Sequence, residues 1–174
     1  MIRLPGRRVR YALLVAGSAA ALLLAAPATP ASAAPVADLN CTMTVTTDIH
    51  PPHLPTNPQL THQSFTSHGL TGTATCTGTV NGQPVTGTGR FLTNGHVLSN
   101  CTQSNGTANF VLKIPTASGT QTVAGHYTIT FPAAGGTIAN SGDLTGTATV
   151  ISSAGDCVTT PLTQTTEVLT EHVT

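Results

Sequence analysis

The chain has 174 residues, of which only 7% are charged, with six basic side chains against six acidic ones. Because nucleic acids and anionic membranes are bound through clusters of Lys and Arg, this composition argues against both as partners. Aromatic residues make up 3% of the chain and Trp is absent. This scarcity argues against a surface on which bases or sugars stack.

Residues 1–33 have the order of a cleaved secretory signal peptide. Four of the six basic residues lie within the first ten positions, and the uncharged run 12–26 that follows is shorter than the roughly 20 residues of a membrane helix. The small residues Ala31-Ser32-Ala33 come next, so we expect cleavage after Ala33. The mature protein is then a single secreted domain, residues 34–174, with two basic and six acidic residues and no membrane anchor.

Threonine alternates with apolar residues or Gly along most of this mature part. The clearest case is 70–80, where every odd position is Thr and Cys76 lies on the opposite face. A period of two with many β-branched residues predicts half-buried antiparallel strands. Looser versions occur at 39–46, 85–91, 108–114, 123–131, 144–150 and 163–173, and a further strand is possible at 96–101. The predicted fold is all-β, an antiparallel sandwich or small closed barrel of seven or eight strands.

Turn residues separate these segments. Asn81-Gly82 is the strongest signal, because both residues tolerate the positive φ of a two-residue hairpin, and it predicts that 70–80 pairs with 84–92. Further turns are predicted at Asn94-Gly95, Ser118-Gly119, Gly135-Gly136, Ser141-Gly142 and Gly155-Asp156.

A proline-rich stretch, residues 50–58, interrupts the β pattern. Its four prolines argue against a helix or a central strand. We expect an extended, polyproline-like connection on the surface.

Four cysteines in an exported chain predict two disulfides rather than a metal site or reactive thiols. The cysteines are Cys41, Cys76, Cys101 and Cys157, and three pairings are possible. The sequence repeats Asn-Cys-Thr at 40 and 100 and Leu-Thr-Gly-Thr-Ala-Thr at 70 and 144. If these repeats mark two related halves, Cys41 pairs with Cys76 and Cys101 with Cys157; the alternative is chance similarity in a Thr/Gly-rich chain.

Histidines of the proline-rich stretch are the candidate metal ligands. His50 and His53 stand there, with Asp48, His62 and His68 near in sequence, and imidazole suits zinc, copper and nickel. Residues three apart in a polyproline helix are about 9 Å apart along the axis, too far for ready sharing of one ion. We therefore interpret the stretch as a solvated loop and predict neither a metal nor a cofactor.

Catalytic patterns are incomplete. Residues 92–97 resemble the histidine motif of chymotrypsin-like serine proteases, but no Gly-Asp-Ser-Gly motif follows, and a turn at Asn94-Gly95 explains the segment. The carboxylate pairs Glu167 with Glu171 and Asp143 with Asp156 are not set among aromatics, as a glycosidase site would be. We interpret them as solvated surface charge and predict no catalytic residue.

In its signal peptide, its four cysteines and its Thr/Gly/Ala-rich composition the chain resembles small secreted proteins of high-GC Gram-positive bacteria. It is also similar to the enediyne-antibiotic carrier proteins of such bacteria, which are small, all-β, acidic and held by two disulfides. That resemblance implies a carrier of a small molecule. The chain departs from the carriers in its cysteine spacing, because theirs close short loops and the gaps here are 35, 25 and 56 residues.

The favoured hypothesis is a secreted, disulfide-braced β module that is non-enzymatic, with a binding or structural role and unknown partners. It would bind a small apolar ligand in a barrel mouth, or a partner surface. The alternative is a secreted hydrolase whose site is dispersed in sequence, with residues such as His96, His126 and an aspartate. A cavity lined by His, Asp and Ser would favour the enzyme, and an apolar one would favour the carrier.

Overall fold

Antiparallel β-strands make up almost all of the computed structural model, which describes residues 36–54, 59–132 and 136–174. The predicted signal peptide, residues 1–33, lies outside these ranges. The strands are β1 (Ala37–His53), β2 (Thr61–Ser67), β3 (Thr73–Val80), β4 (Gln83–Pro84), β5 (Gly89–Ser99), β6 (Ser104–Thr116), β7 (Gly119–Phe131), β8 (Ile138–Gly142), β9 (Leu144–Ala154) and β10 (Leu162–Val173). The described ranges contain no α-helix, and therefore no helix of the length and hydropathy needed to span a bilayer. The predicted all-β class is confirmed.

The sheet closes on itself. β1 pairs along one edge with β10, from Leu39 opposite Val173 to Asp48 opposite Gln164. Its other edge is shared, because β3 pairs with residues 37–44 and β2 with residues 47–50. Both of these strands also pair with β5, and the ring continues from β5 through β6, β7, β8 and β9 to β10. Eight strand positions therefore surround one interior, which makes the fold a closed barrel with room for packed side chains or one small ligand.

One half of the barrel interior is filled by large side chains. Phe91, Phe110 and Tyr127 form a row with 6.3 Å between successive ring centroids. The other large side chains with almost no exposure are Leu39, Met43, Val45, Val80, Leu112, Ile114, Leu144, Leu169 and Val173. Their alternation with exposed residues along each strand matches the period of two seen in the sequence.

The hairpin prediction at Asn81-Gly82 is confirmed at both of its ends. Asn81 and Gly82 have φ of 52° and 73°, and Val80 lies opposite Gln83. At the other end of the hairpin, Ala74 lies opposite Gly89, in the same register as Val80 and Gln83. Val85 keeps a hydrogen bond from its N–H to the Gly78 carbonyl and also forms a bridge with Thr116 of β6. After Val85 the second strand leaves its partner, and the Thr86 N–H donates to the Pro115 carbonyl. Pairing with a third strand therefore interrupts the predicted 84–92 strand.

The predicted turns at Ser118-Gly119, Ser141-Gly142 and Gly155-Asp156 also separate strands, and their glycines have positive φ. The prediction at Gly135-Gly136 lies partly outside the described residues.

The predicted turn at Asn94-Gly95 is wrong, because β5 runs without interruption through both residues and includes most of the predicted strand 96–101. Gly95 faces the interior, where a Cβ atom would stand 2.7 Å from Cζ of Phe65 and 2.8 Å from Cβ of Ala108. Close packing, not chain reversal, is what requires glycine here.

The predicted surface connection at 50–58 is wrong over its first part. β1 continues through Pro51 and Pro52 to His53, whose side chain is buried. The register between β1 and β10 shifts between Asp48 and His53. Proline is tolerated where the ladder is irregular, because no hydrogen bond of the regular pattern needs its missing N–H there. Residues 55–58 lie outside the described ranges.

Both predicted disulfides are present. Cys41 is bonded to Cys76, directly across β1 and β3, and Cys101 is bonded to Cys157. The second bond ties the β5–β6 connection to the β9–β10 connection. This pairing is the one that the two-halves interpretation of the sequence predicts.

Truncating Phe110, which is 2% exposed, tests the filled half of the barrel. We expect Phe110→Ala to lower the free energy of unfolding by about 3–5 kcal/mol, because it removes the ring between Phe91 and Tyr127 and leaves a cavity. Urea denaturation followed by far-UV circular dichroism measures this. The neighbouring exposed change Asn109→Ala is the control and should shift stability by less than about 0.5 kcal/mol. Equal stability of the two variants would contradict this packing.

Candidate functional site

The other half of the barrel contains a cavity of about 290 Å³. It extends from Val45 and Tyr127 in the interior to Cys101 and Cys157 at one end of the barrel. Apolar side chains form much of its wall: Val45, Ile49, Phe65, Val97, Ile129, Phe131, Ile138, Val150, Leu162 and Leu169. A few polar side chains interrupt this wall, as is usual in sites for small molecules.

His53, Ser99 and Gln63 form a hydrogen-bonded network in the wall. The side-chain amide of Gln63 donates from Nε2 to the Pro51 carbonyl over 3.1 Å, so its Oε1 atom is left to accept the Ser99 hydroxyl over 2.8 Å. The hydroxyl hydrogen of Ser99 is thereby used, and His53 Nε2 must donate to Ser99 Oγ over their 2.9 Å separation.

This tautomer decides what His53 and Ser99 can do. A general base has to accept the proton of its nucleophile, whereas the His53 nitrogen nearest Ser99 already carries a hydrogen. Burial lowers the pKa of His53, which keeps the ring neutral. The pair resembles a catalytic dyad in distance alone, and its bonding is that of a structural network.

Tyr127 and Thr93 are joined in the same way. Thr93 Oγ1 donates to the Asn109 carbonyl over 2.9 Å, so the Tyr127 hydroxyl is the donor in the 2.7 Å contact with Thr93 Oγ1. Burial raises the pKa of Tyr127 well above its usual value. Tyr127 is therefore a neutral, fixed part of the cavity wall.

Glu167 of β10 faces the cavity. The Thr165 hydroxyl donates to Glu167 Oε1 over 3.0 Å and in turn accepts the Thr47 hydroxyl over 3.0 Å. Protein surrounds the carboxyl, but the side chain is only partly buried because one side is open to the cavity. Burial raises the pKa of Glu167.

Asn140, which lines the cavity, and Glu171, which lies behind the wall, form a second polar pair. Asn140 Nδ2 donates to Glu171 Oε1 over 2.7 Å, across the intervening strand β9. Gly146 of β9 lies opposite both residues, and a Cβ atom there would be 2.6 Å from Glu171 Oε2. Glycine is thus what allows the contact. Asn140 Oδ1 and Glu171 Oε2 are buried and have no hydrogen-bond partner among the described residues.

The interpretation of Glu167 and Glu171 as surface charge is therefore wrong. Both face the barrel interior, and Glu171 is only 3% exposed. Burial raises the pKa of Glu171 to about 7. Asp143 and Asp156, the other predicted pair, are both exposed, as the interpretation as surface charge expects, and Asp156 lies in the β9–β10 connection at the end of the cavity.

Asp156 organises that connection. It accepts the Thr159 hydroxyl and the backbone N–H groups of Val158, Thr159 and Thr160, at distances from 2.7 to 2.9 Å. These bonds hold the pKa of Asp156 well below its usual value. Its charge therefore stabilises the turn beside Cys157.

The cavity contains no positive group among the described residues. No Lys or Arg lines it, and its ionisable members besides Tyr127 are His53, Asp156 and Glu167. Arg90 and Lys113 lie opposite each other on the outer face of β5 and β6. The electrostatic environment of the cavity is neutral to negative.

The histidines singled out in the sequence lie apart from this cavity, His53 excepted. His96 and His126 share a shallow outer groove with Asp143, 3.9 Å from His126. No described serine hydroxyl is hydrogen-bonded to either imidazole, and the nearby Ser141 hydroxyl bonds to Thr128 over 2.6 Å.

His50 is exposed and His53 is buried, so the two do not share a ligand position. His68 bonds instead to Asp48 over 2.9 Å at the surface. Within the described ranges, no group of three or more His, Cys, Asp or Glu side chains is arranged to hold a metal ion.

No protein-family model, curated protein or solved structure matches this chain. The geometry and chemistry of the barrel cavity are therefore what indicates a function.

The buried carboxyl of Glu171 makes stability depend on pH. A pKa raised from 4.5 to about 7 means that the folded state retains a proton that the unfolded state releases. Stability should therefore fall as pH rises from 4.5 to 7 and level off above, with Glu171 contributing about 3 kcal/mol of the fall. We expect the variant Glu171→Gln to lose this contribution to the fall, because glutamine does not titrate. Its side-chain oxygen can still accept the hydrogen bond from Asn140.

Urea denaturation of both proteins between pH 4.5 and 8 measures the difference. His53 has a lowered pKa and acts in the opposite direction below pH 6.5, and Glu167 acts in the same direction as Glu171. Both residues are present in wild type and variant, so their contributions cancel in the stability difference between the two proteins. A stability difference between the two proteins that stays constant over this range would show that Glu171 does not titrate as its burial requires.

Proposed function

We propose that this protein is a secreted, non-enzymatic binding module that holds one small, largely apolar molecule inside its barrel. The observation that carries the proposal is the cavity of about 290 Å³ in a closed barrel whose other half is fully packed. A packed interior has few voids larger than a water molecule, so a space of this size needs an explanation.

The size and wall of the cavity indicate the kind of ligand. An apolar cavity of about 150 Å³ holds benzene. A cavity of about twice that volume suits a molecule of roughly ten to twelve non-hydrogen atoms, the size of a bicyclic aromatic. Aliphatic and aromatic side chains provide most of the contact, and burial of apolar ligand surface supplies the driving force.

The bonding around the cavity favours binding over hydrolysis. Ser99 and His53 are hydrogen-bonded to each other, and Ser99 also to Gln63, in a way that leaves no base for the Ser99 hydroxyl. The outer groove with His96 and His126 holds no hydroxyl bonded to an imidazole among the described residues. A carrier needs only the shaped cavity.

Secretion is part of the proposal. It is supported by the signal-like order of residues 1–33 and by two disulfides, which persist in oxidising compartments. The Cys101–Cys157 bond also bears on binding, because both cysteines line the cavity and tie together two connections at its end.

Titration with naphthalene tests the proposal, using isothermal calorimetry and the fluorescence of the ligand. We expect one site with a Kd near 10 µM, which corresponds to about −0.7 kcal/mol per non-hydrogen atom. Val97→Trp should abolish binding, because Val97 faces the cavity and the indole would fill it.

The matched control is Leu98→Trp, one residue along β5 on the outer face. It adds the same side chain without entering the cavity and should bind naphthalene as wild type does. Both variants should keep the β-type circular dichroism spectrum. Absence of binding by wild type, or equal binding by the two variants, would overturn the proposal.

A further inference from the structure

We propose that the ligand is an apolar amine, a molecule with one N–H-donating, positively charged nitrogen that is bound by the carboxylate of Glu167. This inference rests on the proposed function and specifies the chemical class of the ligand. It follows from which polar atoms of the cavity are already bonded and which are not.

Five hydrogen-bond donors of the cavity wall are already used within the protein. The hydroxyls of Ser99, Thr93 and Tyr127 donate to Gln63, to the Asn109 carbonyl and to Thr93, respectively. The Thr165 hydroxyl donates to Glu167, and the His53 Nε2 hydrogen is directed to Ser99. A ligand with only hydrogen-bond acceptors could not bond to these hydrogens, because each is already donated to another protein atom.

Acceptors, in contrast, remain open. Glu167 makes one hydrogen bond among the described residues, from Thr165 to Oε1, which leaves Oε2 at the open side of the carboxyl. Asn140 also lines the cavity, is 5% exposed, and has an Oδ1 atom without a partner among the described residues. The Oδ1 atom of Asn140 has almost no accessible surface, so Glu167 rather than Asn140 offers an acceptor to a ligand.

The charge of the cavity indicates which kind of hydrogen-bond donor the ligand should carry. The cavity lining includes Glu167 and Asp156 but no Lys or Arg, so a carboxylate or phosphate ligand would be repelled and an ammonium group attracted. Asp156 is held by its own turn, whereas Glu167 lies deeper, among Thr47, Thr165 and Tyr127. Glu167 is therefore the carboxylate that a ligand inside the barrel can reach.

The titratable groups that surround Glu167 are His53 of β1, Tyr127 of β7, Asp156 of the β9–β10 connection and Glu171 of β10. None of them is a cation at neutral pH, because burial lowers the pKa of His53. Without a ligand, burial keeps the pKa of Glu167 raised, and an ammonium group would lower it again. Amine binding should therefore release a proton and strengthen as pH rises through the Glu167 pKa, whereas binding of an uncharged analogue should not.

Three ligands with one ring system and different charge provide the test: 1-naphthylmethylamine, 1-naphthalenemethanol and 1-naphthoate. Calorimetry with wild type should give the order amine, alcohol, carboxylate, from tightest to weakest. Glu167→Gln keeps the size of the side chain and removes its charge. We expect it to weaken the amine by about 30-fold and the alcohol by less than about threefold, as for a hydrogen bond to a charged group.

The control for loss of one negative charge is Asp38→Asn, at an exposed position outside the cavity. It should leave all three affinities unchanged. Both variants are compared with wild type by thermal unfolding, so that any loss of binding is measured on folded protein.

The outcomes separate this inference from the proposed function. Binding of the alcohol and of naphthalene without a preference for the amine, or an amine affinity that Glu167→Gln leaves intact, overturns the inference while the binding function stands. No binding of any of the three, together with no binding of naphthalene, overturns the proposed function itself. Tighter binding of the amine that is lost in Glu167→Gln and retained in Asp38→Asn supports both.

Discussion

The pairing of the first strand with the last is the constraint on which the rest of the structure depends. β1 and β10 lie side by side from Leu39 and Val173 to Asp48 and Gln164, and this contact turns a sheet with two edges into a ring with an interior. The register of that pairing also decides which residues face inward. A shift by one position would place Thr42, Thr44 and Thr46 in the core and Met43 and Val45 in solvent.

Closure alone would give a filled barrel, and the size of the inward-facing residues decides that half of it stays open. Along β5 and β6 the inward pairs divide by size. Phe91 with Leu112 and Thr93 with Phe110 each contain a phenylalanine, whereas the next three pairs contain no residue larger than valine: Gly95 with Ala108, Val97 with Gly106, and Ser99 with Ser104. Large residues fill one half completely. Small and polar residues in the other half leave a space that backbone closure prevents from collapsing.

The general fold could be predicted because its signals are local. A period of two, as in residues 70–80, and turn pairs such as Asn81-Gly82 each act over a few residues, and the structure keeps both. The errors have a common origin in contacts between distant segments. The sequence predicts a turn at Gly95 because it does not show Phe65 and Ala108 packing against this residue. The extension of β1 to His53 likewise depends on a partner more than one hundred residues away.

The candidate site could not be predicted from the sequence for the same reason. Glu167, Leu169, Glu171 and Val173 share one face of β10, but two acidic residues in that pattern are typical of a solvent-exposed face. Inside the barrel, Glu171 is bonded to Asn140 across Gly146, a contact that joins three strands, and Glu167 is bonded to Thr165. The one available signal was the alternation itself, which puts the glutamates on the same face as two apolar residues.

A buried carboxyl is costly, and this cost bears on function. A pKa raised from 4.5 to about 7 corresponds to about 3 kcal/mol at a pH above 7, and Glu171 keeps one oxygen unpaired among the described residues despite that cost. An apolar residue of similar volume would avoid it, since buried charge seldom stabilises a fold. Positions where a sequence departs from its own packing rules tend to be functional sites. In this barrel Asn140 and Glu167 line the cavity, and Glu171 is bonded to Asn140 behind its wall. Each of the three keeps a side-chain oxygen without a hydrogen-bond partner among the described residues.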